Sequence, residues 1–320
     1  MNTCKKNELN VIVVLDGRPG HEKQTLGLVS ALSIRISVNS TVIDVSGRGI
    51  LSQIKSYIEL VFALPVTTVS MPNSADLVMG TGTRTHATIL NIKRHFHIPG
   101  ITCMTPGKHL RNIFDICFVP AHDGATNRSN YYSTYGALNS NTDKGKHSTD
   151  KGLILIGGVD EKSHVWNSGD IVGNIVKVVG KEKNIHWTIT SSPRTPISTV
   201  TLLVEELQIF DNYSFFDFKE TAKGWVEKQY ERCKTVWVTA DSISMLYEAL
   251  SSGCSVNIFQ MPWKKSSSKF KKNEDILIKE GLVQTFSQWD QGAVISPKVA
   301  QLNEAQRCAD YILQTCWPEN

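Results

Sequence analysis

Near the N-terminus a greasy strand turns into a helix. There the segment "VIVVLDGRPGHEKQTLGL" (Val11–Leu28) gathers Asp16, Gly17, Arg18, Gly20, His21 and Glu22 within seven residues. Two carboxylates and an imidazole at this spacing suit general acid–base work on a hydroxyl group. Glycines between strand and helix also suit phosphate binding. The first reading makes Asp16, His21 and Glu22 candidate catalytic groups. Histidine titrates nearest neutrality, which favours His21 as a base. Asp16 at the strand end either takes that role itself or orients His21. The plain alternative is Glu22 as a partner of the helix dipole and His21 as a surface residue.

A second set of candidates lies in the later part of the chain. "LILIGGVDEKSHVW" places Gly157 and Gly158 after a buried strand, where glycines permit close backbone approach. "TITSSPRTP" adds Ser191, Ser192, Arg194 and Thr195, and an arginine there can clamp a pyrophosphate bidentately. "VWVTADSISMLYEALSSGCSVNIF" adds Asp241, Ser242, Ser244 and Met245 at a helix start, where free amides favour anions. Glu248 follows Ser244 by one helical turn, so it can share a face with it and meet the hydroxyls of a ribose. In the first part of the chain, "MGTGTRTHATIL" offers Gly80 and Gly82, Thr83 or Thr85 as a helix cap, and Arg84 as an anion ligand. "MPWKKSSSKFKKNEDIL" carries Lys264, Lys265, Lys269, Lys271 and Lys272 around three serines, suited to a diphosphate or anionic lipid head groups. Each segment also has a plain reading as an ordinary turn, a cap or a solvated charge.

These residues need a scaffold, and the hydrophobic pattern supplies one. "VIVVL", "STVIDV", "ADLVMG", "GITCMT" and "FDICFV" are continuous apolar runs separated by helical periodicity. Strands buried on both faces look like this, and their order with helices implies a parallel sheet in an α/β fold. A segment rich in Ser, Asn and Thr, Gly124–Lys151, reads as a polar linker because compact domains rarely hold such a loop. The rhythm then restarts with "GLILIGG", "NIHWTIT", "TVWVTAD" and "SVNIF", and "NEAQRCADYILQTCW" reads as a closing helix. The expected domains are therefore residues 1–150 and 151–320. "ILSQIKSYIELVFALPV" reads as a strongly amphipathic helix over Ile50–Leu64, ending before Pro65.

Composition narrows the function. The chain has 320 residues, 41% hydrophobic and 20% charged, with a net charge of +4. That balance is mild for a nucleic-acid binder, so none is expected as a partner. The seven cysteines are scattered without a CxxC pair and read as buried thiols of a reducing cytoplasm. Metal-ligand spacing is absent, and no apolar run reaches the ~18 residues of a spanning helix. The first turn lacks G-x-G-x-x-G and no acidic residue follows at the right strand end, which weakens a nucleotide-sugar epimerase or dehydrogenase.

Taken in order, "DGRPGHEKQTLGL", "GTGTRTH", "FDICFVPAHDG", "LILIGG", "TSSPRTP", "VTADSISMLYEALSSG" and "KSSSKFKKNEDILIKEG" resemble the mitochondrial fission Elm-type family. Its many bacterial relatives are assigned as glycosyltransferases. Met104-Thr105-Pro106 departs from the polar run that relatives carry at that place. The resemblance implies a GT-B-like fold, two Rossmann-like domains with parallel sheets facing across a cleft. It implies that the second domain binds a nucleotide-sugar donor, CMP- or UDP-linked, through Gly157, Gly158, Ser191, Ser192, Arg194, Thr195, Asp241, Ser242, Ser244, Met245 and Glu248. The first domain would face the acceptor with Arg18, Gly20, Gly82 and Arg84, and supply the base. No metal and no tightly bound cofactor is implied. A cell-envelope glycan or lipid-linked acceptor of the lipopolysaccharide or capsule type, at the inner face of the cytoplasmic membrane, is the expected partner. The alternative is a non-catalytic scaffold or membrane-recruitment protein that keeps the fold.

Overall fold

The computed structural model describes residues 6–123, 128–161, 163–264, 269–292 and 302–318. The chain forms two compact units, Met1–Ser140 with Asn303–Asn320, and Asn141–Leu302.

The first unit opens with β1 (Glu8–Leu15), α1 (Pro19–Arg35), β2 (Ser37–Asp44) and α2 (Ile50–Val61). It continues with β3 (Leu77–Gly80), α3 (His86–Phe96), β4 (Gly100–Thr102), β5 (Ile116–Pro120) and β6 (Tyr131–Thr134). The six strands form one parallel sheet in the order β2-β1-β3-β4-β5-β6. Alternate residues of β1 serve opposite cores, because side chains of a strand point to opposite faces. Val11 and Val13 join Leu28, Leu32 and Met79 on one face, while Ile12 and Val14 join Ile89, Leu90 and Val119 on the other. A strand covered on both sides has no face left for polar residues, which explains its unbroken apolar run.

The second unit contains β7 (Ser148–Leu155), α4 (Ser168–Lys181), β8 (His186–Thr190), α5 (Ile197–Leu207), β9 (Tyr213–Phe216) and α6 (Trp225–Tyr230). Next come β10 (Cys233–Thr239), α7 (Ile243–Ser251), β11 (Ser255–Phe259), α8 (Lys269–Lys279), β12 (Val283–Thr285) and α9 (Phe286–Asp290). Its sheet is also parallel, in the order β12-β11-β10-β7-β8-β9. Ile154, Trp187, Ile189 and Trp237 pack against α4 and α5, and Leu153, Leu155, Val236 and Val238 pack against α7 on the other face.

Three features differ from the sequence reading. The segment expected as a linker holds β6, whose Tyr131–Thr134 pairs in parallel with β5, and its last residues begin β7. Two adjacent tyrosines make a short edge strand whose signal is lost among the surrounding serines and asparagines. The units meet in sequence at Ser140/Asn141 rather than at 150/151. The closing helix α10 (Glu304–Cys316) belongs to the first unit, not the second. Cys308, Ala309 and Ile312 fill the core beneath α1, and Arg35 forks onto Asp310 at 2.8 and 3.1 Å. Of the expected basic loop, residues 265–268 lie outside the described residues. Lys264 Nζ donates to the carbonyls of Asp160 and Glu161, and Lys271 pairs with Asp275 at 2.9 Å.

Candidate functional site

In open parallel sheets, ligands bind beyond the carboxyl ends of the strands where the strand order reverses. Each unit has one such point. In the first sheet it lies between β1 and β3, and in the second between β7 and β10. Many of the residues singled out in the sequence cluster at these two places.

At the β1/β3 point, Asp16 leaves the strand with its side chain almost wholly buried. Its Oδ2 lies 2.8 Å from Nδ1 of His21, and its Oδ1 accepts from the Arg18 amide at 3.2 Å. A carboxylate on Nδ1 holds the proton there, which leaves Nε2 with the free lone pair. His21 stays about a quarter exposed, so the ring is fixed yet reachable. Gly82, at φ +103°, abuts this pair so closely that a Cβ would overlap His21 Nδ1 and Asp16 Oδ2. The Gly82 amide donates to Met104 Sδ at 3.1 Å, which gives the atypical Met104 a local role. Glu22 turns back instead, accepting from the Gly17 amide at 3.2 Å. Arg18 is exposed before α1, Gly20 sits in its first turn, and Arg84 is exposed before α3. Thr85 occupies the N-cap of α3, but its hydroxyl donates to the Gly82 carbonyl at 2.8 Å rather than capping the helix amides.

His86 was not singled out from the sequence, since a lone histidine after "GTGTRT" gives no signal of its burial. It is 1% exposed, with Nε2 3.4 Å from the Thr102 hydroxyl. Burial first, and the neighbouring His21 second, push its imidazole down from 6.5 to about 4. The unfolded chain therefore binds more protons between these values, and stability falls as pH drops from 6.5 towards 4. The full effect is on the order of 3 kcal/mol. His86→Leu is expected to flatten that limb of the pH–stability curve in urea titrations; an acid limb as steep as that of the parent would contradict the assignment.

At the β7/β10 point three loops interlock. The Gly157 amide donates to Thr239 Oγ1 at 2.8 Å, and the Gly158 amide to Asp241 Oδ2 at 2.9 Å. A Cβ on Gly157 would overlap Asp241 and Ser242, and one on Gly158 would overlap the backbone of Arg194 and Thr195. The space these glycines leave is thus filled by the protein itself, contrary to the expectation that a ligand fills it. Ser192 Oγ donates to the Gly157 carbonyl at 2.7 Å, Thr195 Oγ1 also reaches that carbonyl, and Ser191 Oγ accepts from the Phe218 amide at 2.9 Å. These three hydroxyls hold the loops together.

What faces outward is a pocket of about 250 Å³ lined by Asp160, His164, Arg194, Ser242, Ser244 and Met245, among others. Arg194 is half-exposed, and its Nη2 lies 2.8 Å from Oδ2 of Asp241, whose side chain is fully buried. Ser242 is the N-cap of α7 but gives no side-chain hydrogen bond to its first-turn amides, so its hydroxyl does not cap the positive end of the helix. Asp241 Oδ1 and His164 Nε2 are buried polar atoms without a hydrogen-bond partner among the described residues. His164 is 2% exposed, its ring lies against Trp263 with centroids 3.8 Å apart, and its Nδ1 is 2.9 Å from Ser163 Oγ. Burial pushes this imidazole below its usual value, partly offset by Asp241 and Asp160. His164 escaped the sequence reading because nothing in "DEKSHVW" ties it to a site 77 residues later in the chain. Glu248 does not line the pocket; it is buried within α7, its charge adding to the upward push on Tyr230.

The sequence profile of the mitochondrial fission ELM1 family matches residues 19–316, from the start of α1 to the last residue of α10. The chain belongs to the ELM1 family. No curated protein matches this ELM1-family chain. Among solved structures, its fold is similar to that of a candidate UDP-N-acetylglucosamine 2-epimerase from Listeria monocytogenes. That match has a TM-score of 0.60 at 13% identity, over 96% of this chain and 95% of that one. The UDP-GlcNAc 2-epimerase of Neisseria meningitidis, solved with UDP-GlcNAc bound, matches with 0.51 at 13% identity over 97% and 100%. The glycosyltransferase SnogD of Streptomyces nogalater matches with 0.53 at 12% identity over 97% and 99%. At such identities the likeness is one of fold, and it establishes this ELM1 chain as a GT-B-like α/β protein.

Proposed function

We propose that this chain is a GT-B glycosyltransferase that moves a sugar from a nucleotide-sugar donor, CMP- or UDP-linked, to a cell-envelope glycan or lipid-linked acceptor. The observation that carries the reading is the β7/β10 pocket, where buried Asp241 aims half-exposed Arg194 beside the open N-terminus of α7. In the proposed reaction the bond from the anomeric carbon to the donor phosphate breaks and an acceptor oxygen takes its place. Charge then builds on the departing phosphate, and the α7 amides, Ser244 and Arg194 are the groups to meet it without a metal. His164, which lines the pocket and whose buried Nε2 has no hydrogen-bond partner among the described residues, is a further candidate to hydrogen-bond that phosphate or the sugar. The acceptor hydroxyl loses its proton to His21 Nε2, with Asp16 holding the ring and stabilising the imidazolium. Arg18, Gly82 and Arg84 are assigned to the acceptor side.

A second reading has support as well: the family match fits a scaffold that keeps the fold without turnover. A thermal-shift panel of UDP, GDP, dTDP and CMP separates the two. A donor site predicts that one nucleotide raises the melting temperature by several degrees at about 100 times its Kd, where ligand binding contributes roughly 2.7 kcal/mol. A flat panel would favour the scaffold. A sugar nucleotide returned as its epimer, with no acceptor glycosylated, would replace transfer by epimerisation.

A further inference from the structure

Helix α2 is built inside out. Ile50, Leu51, Ile54, Tyr57, Ile58, Val61 and Phe62 recur at helical spacing along one stripe, and all are exposed, from 40% for Tyr57 to 83% for Leu51. The buried face is the polar one. The Glu59 carboxylate accepts from the Thr67 amide at 3.0 Å and from the Thr67 and Thr68 hydroxyls at 2.8 and 2.9 Å. Burial opposes its charge, but these hydrogen bonds outweigh it and hold Glu59 below the usual carboxylate range. Ser56 donates to Thr68 at 3.1 Å, Asn91 donates to the Ser56 carbonyl at 2.8 Å, and Arg94 to the Glu59 carbonyl at 2.8 Å. These bonds lock the roll of the helix. It cannot turn its apolar stripe inward without stranding a buried carboxylate.

The apolar surface runs on past the helix end. Phe62, Ala63, Leu64 and Pro65 are all exposed, and Ala63 holds a left-handed φ of 53° that L side chains rarely adopt. Beside them lies an open groove of about 1090 Å³, walled by Tyr57, Leu60, Leu90, Leu110 and Ile113. Its charged lining is Lys93 and Arg94 against a single carboxylate, Asp115, which pairs with Lys93 at 2.7 Å, and His97 and His109 complete the polar rim. Exposed Lys55 flanks the stripe, and exposed Lys108 neighbours His109.

We propose that this face docks on a lipid bilayer rich in anionic head groups, the α2 stripe and the Phe62–Pro65 turn entering the boundary of the acyl chains. An apolar helical face with aromatic residues, edged by cations, is the pattern of a helix lying in the plane of a membrane interface. A second copy of the chain fits less well, because its cationic rim would oppose an identical one. Among the described residues no helix is long and apolar enough to cross a membrane, and the contact proposed is one of surface docking. The proposal deepens the acceptor half of the glycosyltransferase reading, by bringing the chain to where a lipid-linked acceptor resides.

Flotation of the full chain with vesicles tests it. Binding is expected to vesicles of phosphatidylglycerol and phosphatidylcholine in equal parts, weakening as salt is raised, and far less to phosphatidylcholine alone. Leu51→Ser, Val61→Ser and Phe62→Ser together should weaken binding at least about tenfold. These side chains already meet solvent, so the fold and any nucleotide-induced thermal shift should persist. Lys55→Glu with Lys108→Glu should lose the preference for anionic vesicles. Ile209→Ser, another exposed apolar site, should change nothing. No binding by the parent chain, or undiminished binding by the triple variant, overturns the proposal. So does a dimer that the triple variant disrupts while vesicles go unbound. A flat nucleotide panel with vesicle binding intact would instead count against the donor site alone.

Discussion

Asp16→Asn is expected to lower turnover by about 10²- to 10⁴-fold while leaving nucleotide affinity unchanged. The carboxylate Oδ2 lies 2.8 Å from Nδ1 of His21, a contact that favours the proton on Nδ1 and leaves the Nε2 lone pair free. An asparagine amide in the same buried place can donate to Nδ1, which transfers the ring proton to Nε2 and removes the base. His21→Gln should lose as much, since the two groups act as one unit and their losses do not add. Glu22→Gln should stay within about twofold, because an amide oxygen still accepts from the Gly17 N–H. The readout is product formation at saturating donor and acceptor, with donor binding followed separately. Full activity in both the Asp16 and His21 variants would remove the base from this turn. Loss in Glu22→Gln alone would move the role to Glu22.

The second large effect concerns Gly158. An alanine there drives its Cβ into the backbone of Arg194 and Thr195, and a backbone cannot swing aside as a side-chain tip can. The Arg194 loop must move, which withdraws the guanidinium from Asp241 and from the pocket. We expect Gly158→Ala to cost about 1–3 kcal/mol of stability and to abolish the nucleotide-induced thermal shift. Gly173→Ala is the matched control. It lies inside α4 with open space where the Cβ would go, so the substitution should be neutral or stabilising by up to about 1 kcal/mol. Urea denaturation with and without nucleotide reads both. An unperturbed nucleotide response in Gly158→Ala would show that the interlocked loops do not shape the site.

The same residues show what a sequence does and does not make readable. Continuous apolar runs such as Val11–Val14 announce strands covered on both faces, and they led directly to the two parallel sheets. Glycine pairs after such strands were readable as close-approach positions, but not what approaches. At Gly157 and Gly158 it is Asp241, Ser242 and the Arg194 loop. Helical spacing placed Ser244 and Glu248 on one face of α7, yet spacing says nothing of what covers that face. Ser244 remains exposed at the helix start, whereas the helix is buried from Leu246 to its end and Glu248 with it. The α2 case is similar: its amphipathic stripe was legible, and its outward direction was set by the Glu59, Thr67 and Thr68 bonds, which periodicity cannot foretell. His86 and His164 were missed because single histidines gain meaning only from burial and neighbours. The closing helix went to the wrong half because chain order does not encode which core it rejoins.

Amide hydrogen exchange with and without a nucleoside diphosphate tests the central claim most directly, because it reports where the ligand sits. Binding at the α7 N-terminus predicts slowed exchange in peptides spanning Ser191–Thr195 and Asp241–Glu248, with no change in Gly17–Leu28. Protection confined to the first unit, or exchange unchanged throughout at saturating UDP and CMP, would contradict a donor site in the second unit.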